Sequence, residues 1–200
     1  MKIAIVSGSH RITSESVRVG HFIEGQLKVL GVDSTVLSLA GNPLPLWDEG
    51  VMDDDPKWKA LWTPFATKLQ EAQGLVIIAP EWAGMVPPGL KNLLLLCSNT
   101  EVAHKPALIV SVSSGVGGSY PVAELRSSSY KNNRIVYIPD HVIVRSAPDM
   151  LVGEAPANDR DAALRKRMQY SLAMLLEYSK ALIAVRESPL VNYKEYPFGM

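Results

Sequence analysis

Apolar positions along the chain fall into two alternating patterns. Uninterrupted runs at residues 3–6 (IAIV), 74–79 (GLVIIA) and 106–112 (PALIVSV) read as strands buried on both faces of a sheet. Between them, apolar residues recur at three- and four-residue steps. Val19, Phe22, Ile23, Leu27 and Leu30 form one such series. Leu164, Met168, Leu172, Leu175, Leu176 and Leu182 form another, and each predicts an amphipathic helix. Residues 32–39 alternate loosely and read as a strand near a sheet edge, and 134–138, extended to 141–144, supplies a fifth strand. Gly31 sits where a helix C-terminal glycine belongs, and Asn158 or Asp159 caps the last helix. Thr63-Pro64 offers a cap and first turn for a helix to about Gln73, preceded by a short turn with Trp58, Leu61 and Trp62. A further helix is predicted over 121–131. Strands alternating with helices indicate an α/β domain with a parallel sheet over residues 1–186, followed by a tail, 187–200.

The polar breaks in this pattern are as informative as the runs. Loops at 7–16 (SGSHRITSES), 80–89 (PEWAGMVPPG) and 113–119 (SSGVGGS) each follow an apolar strand, so the topology gathers them at one edge of the sheet. Ligands of such sheets bind beyond the carboxyl ends of the strands. The first loop leads into a helix, whose unpaired N–H groups and positive dipole end suit a phosphate. Its hydroxyls and Arg11 are the side chains that would complete a mononucleotide phosphate site. The plainer reading of the same residues is capping and solvation. The loop is neither a Walker A nor a G-x-G-x-x-G sequence.

Composition narrows the picture. Hydrophobic residues make up 47% and charged residues 20% of the 200, an ordinary globular balance. Twenty basic and twenty acidic residues cancel, which removes any general attraction to nucleic acid or to an anionic membrane. The single cysteine, Cys97, excludes an internal disulfide and a thiolate-rich metal cluster. No apolar run reaches a membrane span and the chain opens on a strand rather than a signal sequence, so a cytoplasmic protein is expected.

Several segments together carry a family resemblance. Gly8–Ser14 fits G-S-x-R-x-x-S, Leu44–Asp48 is similar to L-P-L-Y-D, and Pro80–Gly84 resembles P-E-Y-N-G. Leu90-Lys91-Asn92 repeats an L-K-N, and Ser113–Gly118 resembles S-x-G-x-x-G. In this order, over roughly residues 1–145, they resemble the NADPH-dependent FMN reductase family, flavodoxin-like proteins that include quinone, azo-dye and chromate reductases. The resemblance implies a three-layer sandwich with strand order 2-1-3-4-5, FMN as cofactor and NADPH or NADH as co-substrate. It places Ser9, Arg11, Ser14 and Ser16 around the FMN phosphate. Pro80, Glu81, Trp82, Ala83 and Gly84 would line the isoalloxazine, chiefly through backbone groups. Ser113, Gly115 and Gly118 would approach its pyrimidine end. The implied activity is hydride transfer from NAD(P)H to the flavin and on to a quinone-like or other small acceptor. No catalytic side chain and no metal are required, because the flavin carries the chemistry.

This chain also departs from the pattern. Ser16 replaces an asparagine, Trp82 and Ala83 replace Tyr-Asn, and Leu93-Leu94-Leu95-Leu96 replaces A-I-D-W. These changes keep a second hypothesis in view, a flavin-binding or interaction module without turnover. The leucine-rich helix over 90–96 is apolar all round, which implies either a homodimer or homotetramer interface or burial between sheet and final helix. Trp82 either walls the ligand pocket or packs at a helix entrance, and His10 either touches phosphate or faces solvent. Cys97 on an apolar stripe reads as a buried thiol. The acidic run Asp53–Asp55 reads as a cation ligand or as helix-capping charge, and the tail aromatics as docked on a neighbouring subunit or disordered.

Overall fold

The structure, a computed structural model, describes residues 1–199. Strands β1 (Lys2–Ser7), β2 (Asp33–Ser38), β3 (Gly74–Pro80), β4 (Pro106–Val112) and β5 (Val136–Val144) form one parallel sheet in the order β2-β1-β3-β4-β5. Helices α1 (Glu15–Val29) and α6 (Asp159–Arg186) cover one face. Helices α2 (Pro56–Glu71), α3 (Pro88–Leu96) and α5 (Ser119–Ser127), with the single turn α4 (Asn99–Val102), cover the other. This is the flavodoxin-like three-layer arrangement.

The uninterrupted apolar runs follow from this layering. Successive side chains on a strand point to opposite faces. Ile3 and Ile5 of β1, Val76 and Ile78 of β3, and Leu108 and Val110 of β4 meet Val19, Ile23, Met168 and Leu172 of α1 and α6. Their alternates Ala4, Val6, Leu75, Ile77, Ala107 and Ile109 meet Trp58, Leu69, Leu90, Leu93 and Leu125. Both registers are therefore apolar, with Ser111 of β4 the buried polar exception. At the end of α1, the N–H of Gly31 bonds the Lys28 carbonyl and that of Val32 the Leu27 carbonyl, with Gly31 at φ +70°. That is a Schellman termination, which a glycine accommodates without strain.

Four elements differ from expectation. Helix α2 begins at Pro56, where Asp55 accepts the Lys57 N–H at 2.8 Å, and Pro64 lies inside it. A proline within a helix loses one hydrogen bond and costs about 3 kcal/mol. Here Trp58 and Leu69 are buried on the same helix, with Leu61, Trp62 and Phe65 packed beside them. Each fully buried large side chain contributes about 1.5–3 kcal/mol, so the stripe outweighs the proline. The two predicted pieces of β5 are one strand carrying an irregularity between the partners of Ala107 and Ile109. Pro139 falls in that break, on an edge strand, where no ladder donor is needed. Helix α5 runs over Ser119–Ser127, two residues earlier than expected at its start and four at its end.

The fourth difference concerns the leucines of α3. Leu90, Leu93, Leu94 and Leu96 are buried in this chain's own core, beside α2 and α5, while Leu95 is exposed. Core packing on the face opposite α6 therefore explains most of the apolar circumference. Residues 187–199 dock on their own chain: Arg134 donates to the carbonyls of Tyr196, Pro197 and Phe198, and Tyr193 stacks on His104. The cavity they close, about 510 Å³, lies at the amino ends of the strands, away from the three loops. The acidic run serves as capping and surface charge, with Asp55 on α2 and Asp54 paired to Lys59 at 3.2 Å.

Lys105 is buried, and its Nζ donates to the carbonyls of Leu69 (2.7 Å) and Gln70 (2.9 Å), closing the end of α2. Burial, and next the charge of Arg186, pull its ammonium down from 10.5 to about 8. Between these values the folded chain binds fewer protons than the unfolded chain, so the Lys105 contribution to stability rises with pH from about 8 to 10.5. Urea unfolding of wild type and Lys105→Met at both ends of that window should show wild type gaining on the variant as pH rises; a constant difference would contradict this.

Candidate functional site

The carboxyl ends of β1, β3 and β4 stand together because Ser7 pairs with Ile78 and Pro80 with Val112. Just beyond β1, the Gly8 N–H bonds the Ile78 carbonyl at 2.9 Å. A Cβ at Gly8 would lie 2.6 Å from the Leu90 side chain and 2.7 Å from that carbonyl, so only glycine lets the loop leave the sheet beneath α3.

The loop then presents its backbone outward. The N–H groups of Ser9, His10, Ile12, Thr13, Ser14, Glu15 and Ser16 donate to no acceptor among the described residues. Ser9 accepts the Arg11 N–H at 3.4 Å, and Ser14 caps α1 by accepting the Val17 N–H at 3.2 Å. Each hydroxyl therefore keeps its hydrogen to donate. Arg11 is exposed and pairs with no carboxylate among the described residues. Glu15, the one acid on the loop, is neutralised by Arg18 at 2.6 Å. Arg18 also donates to the carbonyls of Ala147 and Leu151, tying α1 to the turn after β5. A run of free N–H groups at a helix N-terminus, with an unpaired guanidinium, is an anion cradle.

Ser9, Arg11, Ser14, Ser16, Pro80, Glu81 and Trp82 line one cavity of about 150 Å³, joined by Glu15, Val112 and Ser114, which sequence reading did not single out. Ligand pockets usually run to about 300–1,000 Å³, so this one has the size of a socket that could take one end of such a ligand.

The second loop forms a tight hairpin. Trp82 and Met85 exchange both backbone hydrogen bonds, at 3.0 and 2.9 Å, across Ala83 (φ +50°) and Gly84 (φ +73°). Two positive φ values in succession suit a type I′ turn, natural for Asn-Gly and strained at alanine. The N–H groups of Ala83 and Gly84, at the tip, bond nothing among the described residues, whereas those of Glu81 and Trp82 are taken by Val112 and Met85. Neither of the two tip residues, Ala83 and Gly84, lines the socket.

Nor do Ser113, Gly115 and Gly118 of the third loop, which are held by structural bonds. The Glu81 carboxylate accepts the Gly118 N–H at 2.6 Å, so that donor is occupied. Ser113 accepts the Gly115 N–H, and the Gly115 carbonyl accepts the Ser146 N–H. Arg145 donates to the carbonyls of Val116 and Gly117. Its position just past the carboxyl end of β5 was the available signal for Arg145, and its (i, i+3) spacing from Glu15 was the signal for Arg18. The Glu81 contact depends on loop geometry and left no local sequence signal. Trp82 packs edge-on against His10, 4.4 Å between ring centroids and 85° between planes, so His10 is neither solvent-facing nor reaching into the socket. Cys97 is buried with its thiol pushed up by burial, far from nucleophilic use.

The family model described as NADPH-dependent FMN reductase matches residues 1–149. An FMN-dependent NADPH-azoreductase of Staphylococcus saprophyticus is 26% identical over 127 residues, 63% of this chain and 68% of that protein. A quinone reductase of Escherichia coli is 36% identical over 78 residues, 38% of this chain and 41% of that protein. In fold, the chain is similar to FerB, a flavoenzyme NAD(P)H:(acceptor) oxidoreductase from Paracoccus denitrificans, with TM-score 0.71 at 18% identity over 90% of this chain and 97% of that one. A flavodoxin from the domain Archaea superposes at TM-score 0.54 with 13% identity, covering 89% of this chain and 99% of that one.

Alanine at φ +50° carries strain that asparagine tolerates. Ala83→Asn is expected to raise stability by up to about 1 kcal/mol, or about 2–4 °C in Tm. Thermal unfolding measures it, and an unchanged or lowered Tm would show the turn is not strained.

Proposed function

This chain belongs to the NADPH-dependent FMN reductase family, and on that premise we propose that it is an FMN-dependent NAD(P)H oxidoreductase whose acceptor is a quinone or a similar flat, small molecule. The observation that carries the site assignment is the cradle of free N–H groups over 9–16, opening onto a socket beside Trp82. When bound, FMN supplies the chemistry, taking hydride from NAD(P)H at flavin N5 and passing electrons to the acceptor.

The chain's own part is binding and placement. The Ser9 and Ser14 hydroxyls donate to phosphate oxygens while their own oxygens stay occupied by the Arg11 and Val17 N–H groups. Arg11 supplies the countercharge, and Arg18 removes the repulsion that Glu15 would otherwise exert. Ser16, buried at the socket wall, stands where asparagine would reach further, so the N–H groups do more of the holding. Pro80, Glu81 and Trp82 would line the isoalloxazine, and the unpaired N–H groups of Ala83 and Gly84 are the donors this loop would offer it. Ser113, Gly115 and Gly118 act on the pyrimidine end by holding the third loop in shape rather than by donating to the ring. The Glu81–Gly118 bond fixes the distance between those two loops.

Two further parts of the proposal stand on narrower ground. A homodimer or homotetramer would use the one exposed leucine of α3, Leu95, beside the groove of about 430 Å³ between α3 and α5. A cytoplasmic setting fits a lone buried cysteine and the absence, among the described residues, of a helix long and apolar enough to cross a membrane.

The protein reconstituted with FMN should show flavin absorbance that bleaches anaerobically on adding NADPH and returns on adding a quinone; flavin that binds and does not bleach would favour a module without turnover. Arg11→Ala removes a charge-assisted contact of about 1.5–3 kcal/mol, so the FMN Kd should rise roughly tenfold or more. Unchanged affinity, measured by flavin fluorescence quenching, would show the phosphate lies elsewhere.

A further inference from the structure

Within the flavin-reductase reading, on which this inference rests, we propose that His10 is a positioning residue. It transmits the order of the phosphate loop to the ring ledge by bracing Trp82. His10 sits between Ser9 and Arg11, inside the anion cradle, yet its imidazole does not line the socket. It meets Trp82 of the second loop edge to face, at 4.4 Å and 85°. This T-shaped arrangement is favourable for two aromatic rings because the positive edge of one meets the negative face of the other. Its Nδ1 is buried and makes no hydrogen bond, so the ring is held by packing and not by a polar partner. Gly89, near the start of α3, also stands close to this ring. A Cβ there would lie 3.2 Å from Nδ1, tighter than ordinary contact. The imidazole thus meets the indole and also approaches position 89 closely enough that a side chain there would crowd it.

Trp82 is half-buried, and the hairpin that carries it turns at the strained Ala83. The Trp82 backbone is held by the hairpin bonds to Met85, and its indole meets the ring of His10. An anion that orders residues 9–14 therefore also fixes His10, and through it the wall against which a flat acceptor or nicotinamide stacks. Placement of that wall governs how a substrate is oriented more than how the cofactor is held.

The test is a double-mutant cycle on the FMN-loaded enzyme, with NADPH as donor and a simple benzoquinone as acceptor. His10→Ala should raise KM for the quinone roughly two- to tenfold, the scale of one aromatic pair, with kcat lowered less and FMN affinity changed little. His10→Phe, which keeps an aromatic edge, should restore KM. In a Trp82→Ala background, His10→Ala should add nothing further. Gly89→Ala, which crowds the ring without removing it, should move KM in the same direction and serves if His10→Ala does not fold. Equal effects of His10→Ala with and without Trp82, or failure of phenylalanine to rescue, would overturn the proposal. So would a large loss of FMN affinity in His10→Ala, since that would make the imidazole a phosphate ligand. Failure of wild type to bind FMN would instead overturn the flavin-reductase reading itself.

Discussion

A parallel sheet covered on both faces leaves polar side chains little place along its central strands, and this exclusion governs the rest of the molecule. In β1, β3 and β4 every side chain between the ends except the buried Ser111 enters one of two apolar cores. Hydroxyls, charges and glycines are pushed past the last strand residue, and because all strands run the same way they are pushed past the same edge. The three loops are neighbours for that reason alone. A place for a ligand beyond the ends of β1 and β3 then follows from topology before any specific contact is made.

What turns neighbouring loops into a site is a small set of bonds between them. The Glu81 carboxylate holds the Gly118 N–H, Arg145 holds the two carbonyls before it, and Arg18 anchors the first helix to the turn after β5. Asn92 does the same for the 44–48 segment, accepting the Trp47 N–H at 2.8 Å and donating to the Pro45 carbonyl at 2.7 Å. Two motifs that looked separate, L-P-L-W-D and L-K-N, are thus two halves of one contact. In each case a side chain satisfies backbone groups of another segment, which stiffens a loop without blocking the socket. Rigid placement matters here because the reactive atoms belong to the cofactor, so the chain contributes geometry.

The departures from the family pattern read differently once packed. Of the leucines in place of A-I-D-W, Leu93, Leu94 and Leu96 complete a core against α2 and α5, while Leu95 is exposed. Alanine in the P-E-W-A-G hairpin keeps the turn but loses the side chain best suited to its φ. Tryptophan in place of tyrosine gains His10 as an edge-on partner. The changes thus touch the second loop, the α3 core and, at Ser16, the first loop, while the free N–H groups of residues 9–16 remain unpaired among the described residues.

By itself, the sequence determined whatever depends on local period and on chain direction. The strand runs, the helix stripes, Gly31, the Asn158 cap and the edge at which the loops meet were all legible, because each follows from side-chain spacing within one element. The loops follow strands, but Ser9, Arg11, Ser14, Ser16, Pro80, Glu81 and Trp82 were singled out within them by motif resemblance. These residues line one cavity, whereas Ala83, Gly84, Ser113, Gly115 and Gly118 of the same expectation do not. Tertiary structure alone decided the matters in which two distant segments compete or cooperate. Burial of Trp58 and its neighbours carried α2 through Pro64, and the opposite face of the sheet claimed the leucines of α3. The Gly118 N–H went to Glu81, and His10 went to Trp82. Those outcomes turn on which groups meet across more than 30 residues of chain, a quantity that local propensity does not contain.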